Sequence, residues 1–191
     1  MTGRETFSKY KKIILFMVAV LSRKSLKKRY KFYEKHSNKN SKYSILMRYV
    51  FVKATAKKCG DNVYIGKHAI LKNVEYIEFG ENVSIHEFSY VDGGHGLSIG
   101  SNVSIAHGCS IIASNHGFSL NETPFKYQEM HYKPIIIGNN VWMGAKSIVL
   151  AGATICDNVV IAAGTICTSK QKLKSGALYA GCPAAFKKDI K

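Results

Sequence analysis

His116 stands where two kinds of sequence meet. Up to it, Ile111-Ile-Ala-Ser-Asn-His116 continues an aliphatic pattern of fixed period; beyond it, residues 117–134 keep no period at all. An imidazole held by a regular scaffold beside a projecting loop has the positioning that proton transfer requires. A neutral imidazole is also the side chain suited to deprotonating a hydroxyl near neutral pH. Ser114 is the one candidate Ser or Cys nucleophile beside it, and direct attack by a deprotonated hydroxyl needs no covalent intermediate on the protein. Trp142, the only Trp, falls at an outward corner position and reads either as an apolar wall for a ligand or as packing. The histidines are residues 36, 68, 86, 95, 107, 116 and 131, and no metal is expected among them.

The elements that must hold His116 are written in a repeat. Cys59-Gly-Asp-Asn-Val-Tyr64, Phe79-Gly-Glu-Asn-Val-Ser84, Ile99-Gly-Ser-Asn-Val-Ser104, Ile137-Gly-Asn-Asn-Val-Trp142 and Ile155-Cys-Asp-Asn-Val-Val160 start 20, 20, 38 and 18 residues apart. Self-similarity at that interval means a stacked solenoid, and the long gap locates the loop that interrupts it. A finer period of six runs through Ile137, Met143, Val149, Ile155 and Ile161, with Val141, Ser147, Ala153, Val159 and Thr165 four residues after each. Period six suits neither a helix nor a half-buried strand. It suits a three-sided coil whose aliphatic residues point inward and whose strands pair in parallel with those of neighbouring coils. Gly and Asn-Val mark its corners, where a tight turn or a positive φ is needed.

This pattern resembles the hexapeptide-repeat acyltransferases over residues 59 to about 186. The resemblance implies an all-β fold, a left-handed parallel β-helix, with a short helical basic extension before it and a short C-terminal helix after it. The stretch His116, Glu129-Met130, Pro134 and Ile137 through Trp142 is similar to the maltose, galactoside and nodulation-factor acetyltransferases and the polysaccharide O-acetyltransferases. That likeness implies that His116 is the general base and that the amide of Ala145 helps to hold the oxyanion. It implies acetyl-CoA as co-substrate, lying along Gly144-Ala145 and Ala162-Ala163-Gly164, and a homotrimer whose sites are shared between subunits. Lys170, Lys187 and Lys188 are the candidates for its phosphates, although Cys167-Thr-Ser-Lys-Gln-Lys-Leu-Lys174 departs from the family's usual ending. Glu129 would orient the imidazole or hold a sugar, or else is a solvated loop carboxylate. His86 and Asp92, with Glu87, are the candidates for an acceptor pocket, but no residue here matches the family's acceptor-binding Asn/Asp pair.

Charge divides the chain into residues 1–58, a basic arm, and 59–191, the repeat domain. The arm holds 17 Lys/Arg against Glu5 and Glu34, a balance of +15 out of the chain's +16. Its apolar run, Ile13 to Leu21, is nine residues long, where a spanning helix needs about 20. No small-x-small cleavage site follows it. The run reads either as packing on the domain or a sister subunit, or as a wedge that lets residues 1–40 rest on an anionic membrane surface. Nucleic acid is disfavoured, because no recognised module accompanies the charge. Residues 42–56 look like an amphipathic helix capping the first coil. Cys59, Cys109, Cys156, Cys167 and Cys182 include no CxxC and read as buried, reduced thiols of a cytoplasmic protein.

The expectation is an O-acetyltransferase acting on a sugar or lipid-linked saccharide in surface polysaccharide assembly, peripheral on the inner face of the membrane. Rival readings are N-acetylation of a nucleotide-linked amino sugar, serine acetylation, a hydratase resembling γ-type carbonic anhydrase, and a non-catalytic solenoid.

Overall fold

A computed structural model describes residues 3–190, with side chains from residue 10 onward; Met1, Thr2 and Lys191 lie outside the described residues. Residues 58–180 wind into a triangular prism. Face A carries strands at 58–59, 77–79, 97–99, 135–137, 154–155 and 172–173, all parallel. Face B begins at Tyr64–Ile65 and ends at Ala177–Ala180; face C runs from Ile70–Lys72 to Ile166–Cys167. Register steps by one coil, so Phe79 pairs with Ile99, Ile99 with Ile137, and Ile137 with Ile155. The predicted inward rows are the core: Ile65, Ile85, Ile105, Ile111, Met143, Val149 and Ile161 are fully buried. Each strand is only two to four residues long, so parallel pairing costs little conformational freedom per turn once the corners are set.

All five repeat asparagines, Asn62, Asn82, Asn102, Asn140 and Asn158, sit at positive φ between 53° and 58°. Asn tolerates that region better than most side chains. The preceding glycine has a different reason. A Cβ on Gly80 would lie 2.6 Å from the Gly100 carbonyl carbon, and one on Gly100 would lie 2.6 Å from that of Gly138. Corners therefore stack backbone on backbone. Leu173-Lys-Ser-Gly-Ala177 is a sixth repeat, its Leu173 paired with Ile155, that lacks the Asn-Val signature of the other five. Gly176 at φ +72° takes the asparagine's place there.

Three helices, α1 (Gly3–Ser22), α2 (Leu26–Ser37) and α3 (Lys42–Thr55), cover the open end of the first coil. The predicted capping helix is α3; its N-cap Ser41 accepts the Ser44 amide. Its own Val50, Phe51 and Val52 are buried, and Phe51 packs edge-on to Tyr30 at 5.3 Å. α1 joins the core through Ile14 and Leu21, and Lys11 pairs with Asp61 at 2.8 Å. So the apolar run is in part packing. Lys11 and Lys53 hold the Asp61 carboxyl below its ordinary range, Lys11 contributing most.

The far end is closed differently from the expectation. Instead of a C-terminal helix, Ala185–Asp189 forms a strand that pairs antiparallel with Ala177–Ala180. Gly181-Cys-Pro-Ala184 reverses the chain, and the returning segment satisfies a sheet edge that a helix would have left open. Phe186 packs edge-on to Tyr179 at 6.1 Å.

The five cysteines are all free, but the expected burial is complete only for Cys109 and Cys167; Cys59 and Cys156 are half-buried, and Cys182, in the turn after the last coil, is exposed. Burial pushes the Cys59 and Cys167 thiols up to about 12, so both stay protonated and unreactive near neutral pH.

One side chain ties cap to coil. Arg48 is fully buried and donates to the carbonyls of Ile65 (2.7 Å), His36 (2.8 Å) and Lys39 (2.7 Å), its second terminal nitrogen going unpaired. Removing the guanidinium orphans three acceptors at about 1–3 kcal/mol each, partly offset by no longer burying a charge. Arg48→Met should therefore destabilise by about 3 kcal/mol, a fall in Tm of roughly 6–12 °C. An unchanged or raised Tm in a thermal melt would show that the desolvation cost dominates.

Candidate active site

The insertion that breaks the repeat leaves and rejoins the prism at the corner between faces C and A. It departs as a ladder: Ser114–His116 runs antiparallel to Met130–Tyr132, with Ser114 opposite Tyr132, Asn115 opposite His131 and His116 opposite Met130. Beyond His116, the Gly117 amide donates to the Glu129 carbonyl at 2.9 Å. His116 thus sits on a short rigid ladder and is itself exposed.

Opposed residues share a face of such a ladder, and alternation puts residues two apart on that face as well. Met130, Ser114 and Tyr132 accordingly flank the imidazole. Glu129 falls with Asn115 and His131 on the other face, exposed and with no side-chain hydrogen bond among the described residues. Tyr132 is held by His95, their rings 4.3 Å apart, and His95 stacks on Tyr76 at 6.0 Å. Alternation within Met130-His-Tyr132 would have pointed to Met130 and Tyr132; what the sequence does not reveal is that this segment pairs with 114–116.

The loop beyond the ladder is a folded hairpin around Gln128. Its side-chain oxygen accepts the Ser119 amide at 3.0 Å, and its nitrogen donates to the carbonyls of Ser119 and Thr123, both at 2.8 Å. Nothing in composition marks Gln128 for this role. The apolar residues around it face outward: Phe118 is 82% exposed, Leu120 96% and Tyr127 71%.

The other predicted residues lie on different sides of the prism. Asp92 shares the corner between faces C and A but is buried, and its Oδ1 accepts from Asn73 (2.7 Å) and the Gly94 amide (2.9 Å). That work fixes the corner turn and accounts for the carboxylate without a ligand. His86 lies at the far end of face C, at the corner with face B. It packs on Tyr64 at 5.6 Å and lies 3.7 Å from Glu87, so one chain does not bring it to His116. The Glu87 carboxyl is held below its ordinary range, chiefly by its own backbone amide and then by desolvation and the Tyr64 hydroxyl acting in opposite senses.

Gly144, Ala145 and Ala163 occupy that same corner between B and C. A Cβ on Gly144 would come within 2.5 Å of the Ala163 nitrogen, so its small size serves coil stacking first. The Ala145 carbonyl accepts from Gly164 at 2.9 Å, while its amide has no acceptor among the described residues. That free donor is what an oxyanion site needs. Ala163 is exposed beside it.

Trp142 projects from face B, 56% exposed, over a hollow of about 470 Å³ bordered by Asn102, Ser104, Asn140, Gly176 and Ile190. Amide ladders join Asn62 to Asn82 to Asn102 and Asn140 to Asn158, but none bridges Asn102 and Asn140 among the described residues. Lys187 and Lys188 are exposed on the returning strand at the edge of face B, whereas Lys170 is exposed at the corner between C and A. Among the described residues no cluster of three or more His, Cys, Asp or Glu could hold a metal ion.

Comparison with known proteins agrees with this architecture. Residues 134–169 match the model of the hexapeptide repeat of succinyl-transferase. Galactoside O-acetyltransferase of Escherichia coli K12 is 31% identical over 132 residues, covering 66% of this chain and 63% of that protein. A dTDP-4-amino-4,6-dideoxy-D-glucose acyltransferase of Escherichia coli is 25% identical, covering 67% of this chain and 79% of its own length. Among solved structures, galactoside acetyltransferase in complex with coenzyme A superposes with a TM-score of 0.75 at 24% identity, covering 86% of this chain and 80% of that one. A maltose O-acetyltransferase from Clostridium difficile gives 0.74 at 22% identity, covering 86% of each chain. Residues 134–169 carry the hexapeptide repeat, and the prism has the fold class of the left-handed parallel β-helix acetyltransferases. Within that class it is similar to the sugar O-acetyltransferases, and it spans less than two thirds of the Escherichia coli enzyme.

The Gln128 hub gives a test of the loop. Gln128→Ala removes four hydrogen bonds from an exposed hairpin, so amide exchange across residues 117–128 should quicken at least tenfold while Tm stays within about 2 °C. Unchanged protection would mean that the hairpin does not depend on that side chain.

Proposed function

We propose that the protein transfers an acetyl group from acetyl-CoA to a sugar hydroxyl, with His116 as general base. The observation that carries this reading is an exposed imidazole on a hydrogen-bonded ladder, at the corner where an otherwise regular prism is interrupted. The imidazole takes the hydroxyl proton as the oxygen attacks the thioester carbon. The resulting oxyanion is met by the Ala145 amide. Collapse expels the thiolate of CoA, which receives the proton back from the imidazolium. Trp142 lines the channel for acceptor or pantetheine, and Lys170, Lys187 and Lys188 meet the phosphates. His86 and Glu129 line the acceptor side only where a neighbouring copy completes it, and Asp92 acts by shaping the corner.

One prism cannot assemble this machinery. A corner between C and A stands opposite face B, so His116 and Trp142 of a single chain are on opposite sides. The reading therefore includes a homotrimer in which the base of one copy faces the amide and indole of the next. The outward apolar residues of the loop, Phe118, Leu120 and Tyr127, support it, since such side chains gain by covering a partner. The basic arm supports work on a lipid-linked saccharide at the cytoplasmic leaflet during surface polysaccharide assembly; no helix among the described residues is long and apolar enough to cross a membrane. N-acetylation of a nucleotide-linked amino sugar is the second reading, favoured by the likeness to the dideoxyglucose acyltransferase.

His116→Ala should lower kcat about 10²- to 10⁴-fold with little change in Tm, measured as CoA release against a panel of sugars and amino sugars. A loss smaller than about tenfold would refute the base assignment, and the preferred acceptor separates O- from N-transfer.

Co-expression tests the shared site. His116→Ala and Trp142→Ala chains, each impaired alone, should regain roughly a quarter of wild-type activity when mixed, because mixed trimers rebuild one intact interface. No recovery would place both residues' action within one chain.

A further inference from the structure

The three helices over the first coil leave more apolar surface than the fold uses. On α1, Ile14 and Leu21 turn into the core, yet Ile13 is 58% exposed, Phe16 69% and Val20 43%. These three recur at i, i+3 and i+7 and form a stripe on the helix's outer side. The stripe borders an open groove of about 590 Å³, walled by Phe16 and Val20 from α1, Phe32 from α2, and Met47 and Val50 from α3. Pockets of that size and apolar character take small hydrophobic ligands.

The groove's rim is charged on one sign only. Lys28, Lys31 and Lys35 recur at i, i+3 and i+7 along α2, and Lys24 continues the row before the helix begins. No Asp or Glu lines the groove. Four ammonium groups beside an apolar trough complement a molecule with an anionic head and a hydrocarbon tail. A helical peptide would need carboxylates for all four cations and an apolar face narrow enough to follow the trough. A lipid supplies both parts at once, at the end of the prism, away from the corners proposed for chemistry.

We propose that this groove takes one acyl chain of an anionic membrane phospholipid, with the headgroup phosphate on the Lys24, Lys28, Lys31 and Lys35 row. The inference rests on the membrane-surface reading above and sharpens it: the arm grips a single lipid, in addition to adhering by charge. Burying a chain is insensitive to salt, whereas adhesion by exposed lysines is screened. Salt therefore separates the two.

The test is co-sedimentation of the full chain with vesicles of phosphatidylcholine and phosphatidylglycerol at about 3:1, in about 0.1 M and about 0.5 M NaCl. The wild type should bind at both salt concentrations. The double variant Phe16→Ser, Val20→Ser changes exposed residues and should keep its Tm. It should bind normally at low salt and lose at least tenfold at high salt. Lys28→Gln with Lys31→Gln should lose the preference for phosphatidylglycerol over phosphatidylcholine vesicles. CoA release with soluble acceptors should be unchanged in all of them. Wild-type binding that vanishes at high salt overturns the groove and leaves surface adhesion standing. High-salt binding untouched by the serine pair also overturns it, and no binding at either salt removes both readings. If the serine pair instead breaks a larger assembly in sedimentation velocity, a second copy of the chain fills the groove and the lipid assignment falls.

Discussion

Everything in this molecule depends on how closely one corner can lie on the next. Three short strands make a coil, and coils hydrogen-bond in parallel only if their corners stay as thin as bare backbone. At Gly60, Gly80 and Gly100 the following corner's backbone already occupies the space of a side chain, with approaches that no Cβ could accept. Asn at positive φ then turns the chain onto the next face and passes a side-chain hydrogen bond along the stack. The inward aliphatic rows supply the stabilising burial, but it is the corner that fixes where each row points.

That constraint governs where function can reside. Close backbone approach recurs along the A-to-B corner at Gly60, Gly80 and Gly100 and at Gly66 and Gly144 between B and C, and the insertion leaves from the third corner. Here it leaves between faces C and A after Ile112, and the first residues outside the prism carry His116. The prism lends rigidity to the imidazole, while the antiparallel ladder with Met130–Tyr132 keeps it off the core. The same regularity sets the remaining candidates on other sides, which is why the proposed site calls for two copies. Gly144 looks made for a ligand, yet its first duty is to let the backbone of the next coil approach at Ala163.

Much of this was legible in the residues, for a physical reason. Period six and the Asn-Val corners are local rules repeated many times, so five noisy copies define the coil. The sixth escaped because Lys174 and Gly176 stand where Gly and Asn usually do; the last corner bears no further coil and tolerates both. The C-terminal strand was missed because its cause is an unpaired sheet edge, a feature of the assembled prism. His86 and Asp92 looked like neighbours of His116 because one coil separates them in sequence. In space a whole face separates His86 from it, and Asp92 is spent on the corner. Gln128 and the Arg48 clamp are single side chains serving backbone carbonyls and amides far away in sequence, and no pattern announces such work. In the arm, charge and apolar content were readable, but the three-helix arrangement that opens a groove was not.

The central claim is that one copy's imidazole and the next copy's corner amide converge on a single thioester. A crystal structure of the assembled protein with coenzyme A tests it most directly. The account predicts the CoA sulfur between two chains, within about 4 Å of the His116 ring of one and beside the Ala145 amide of its neighbour. A sulfur bound wholly within one chain, or remote from both groups, would contradict it.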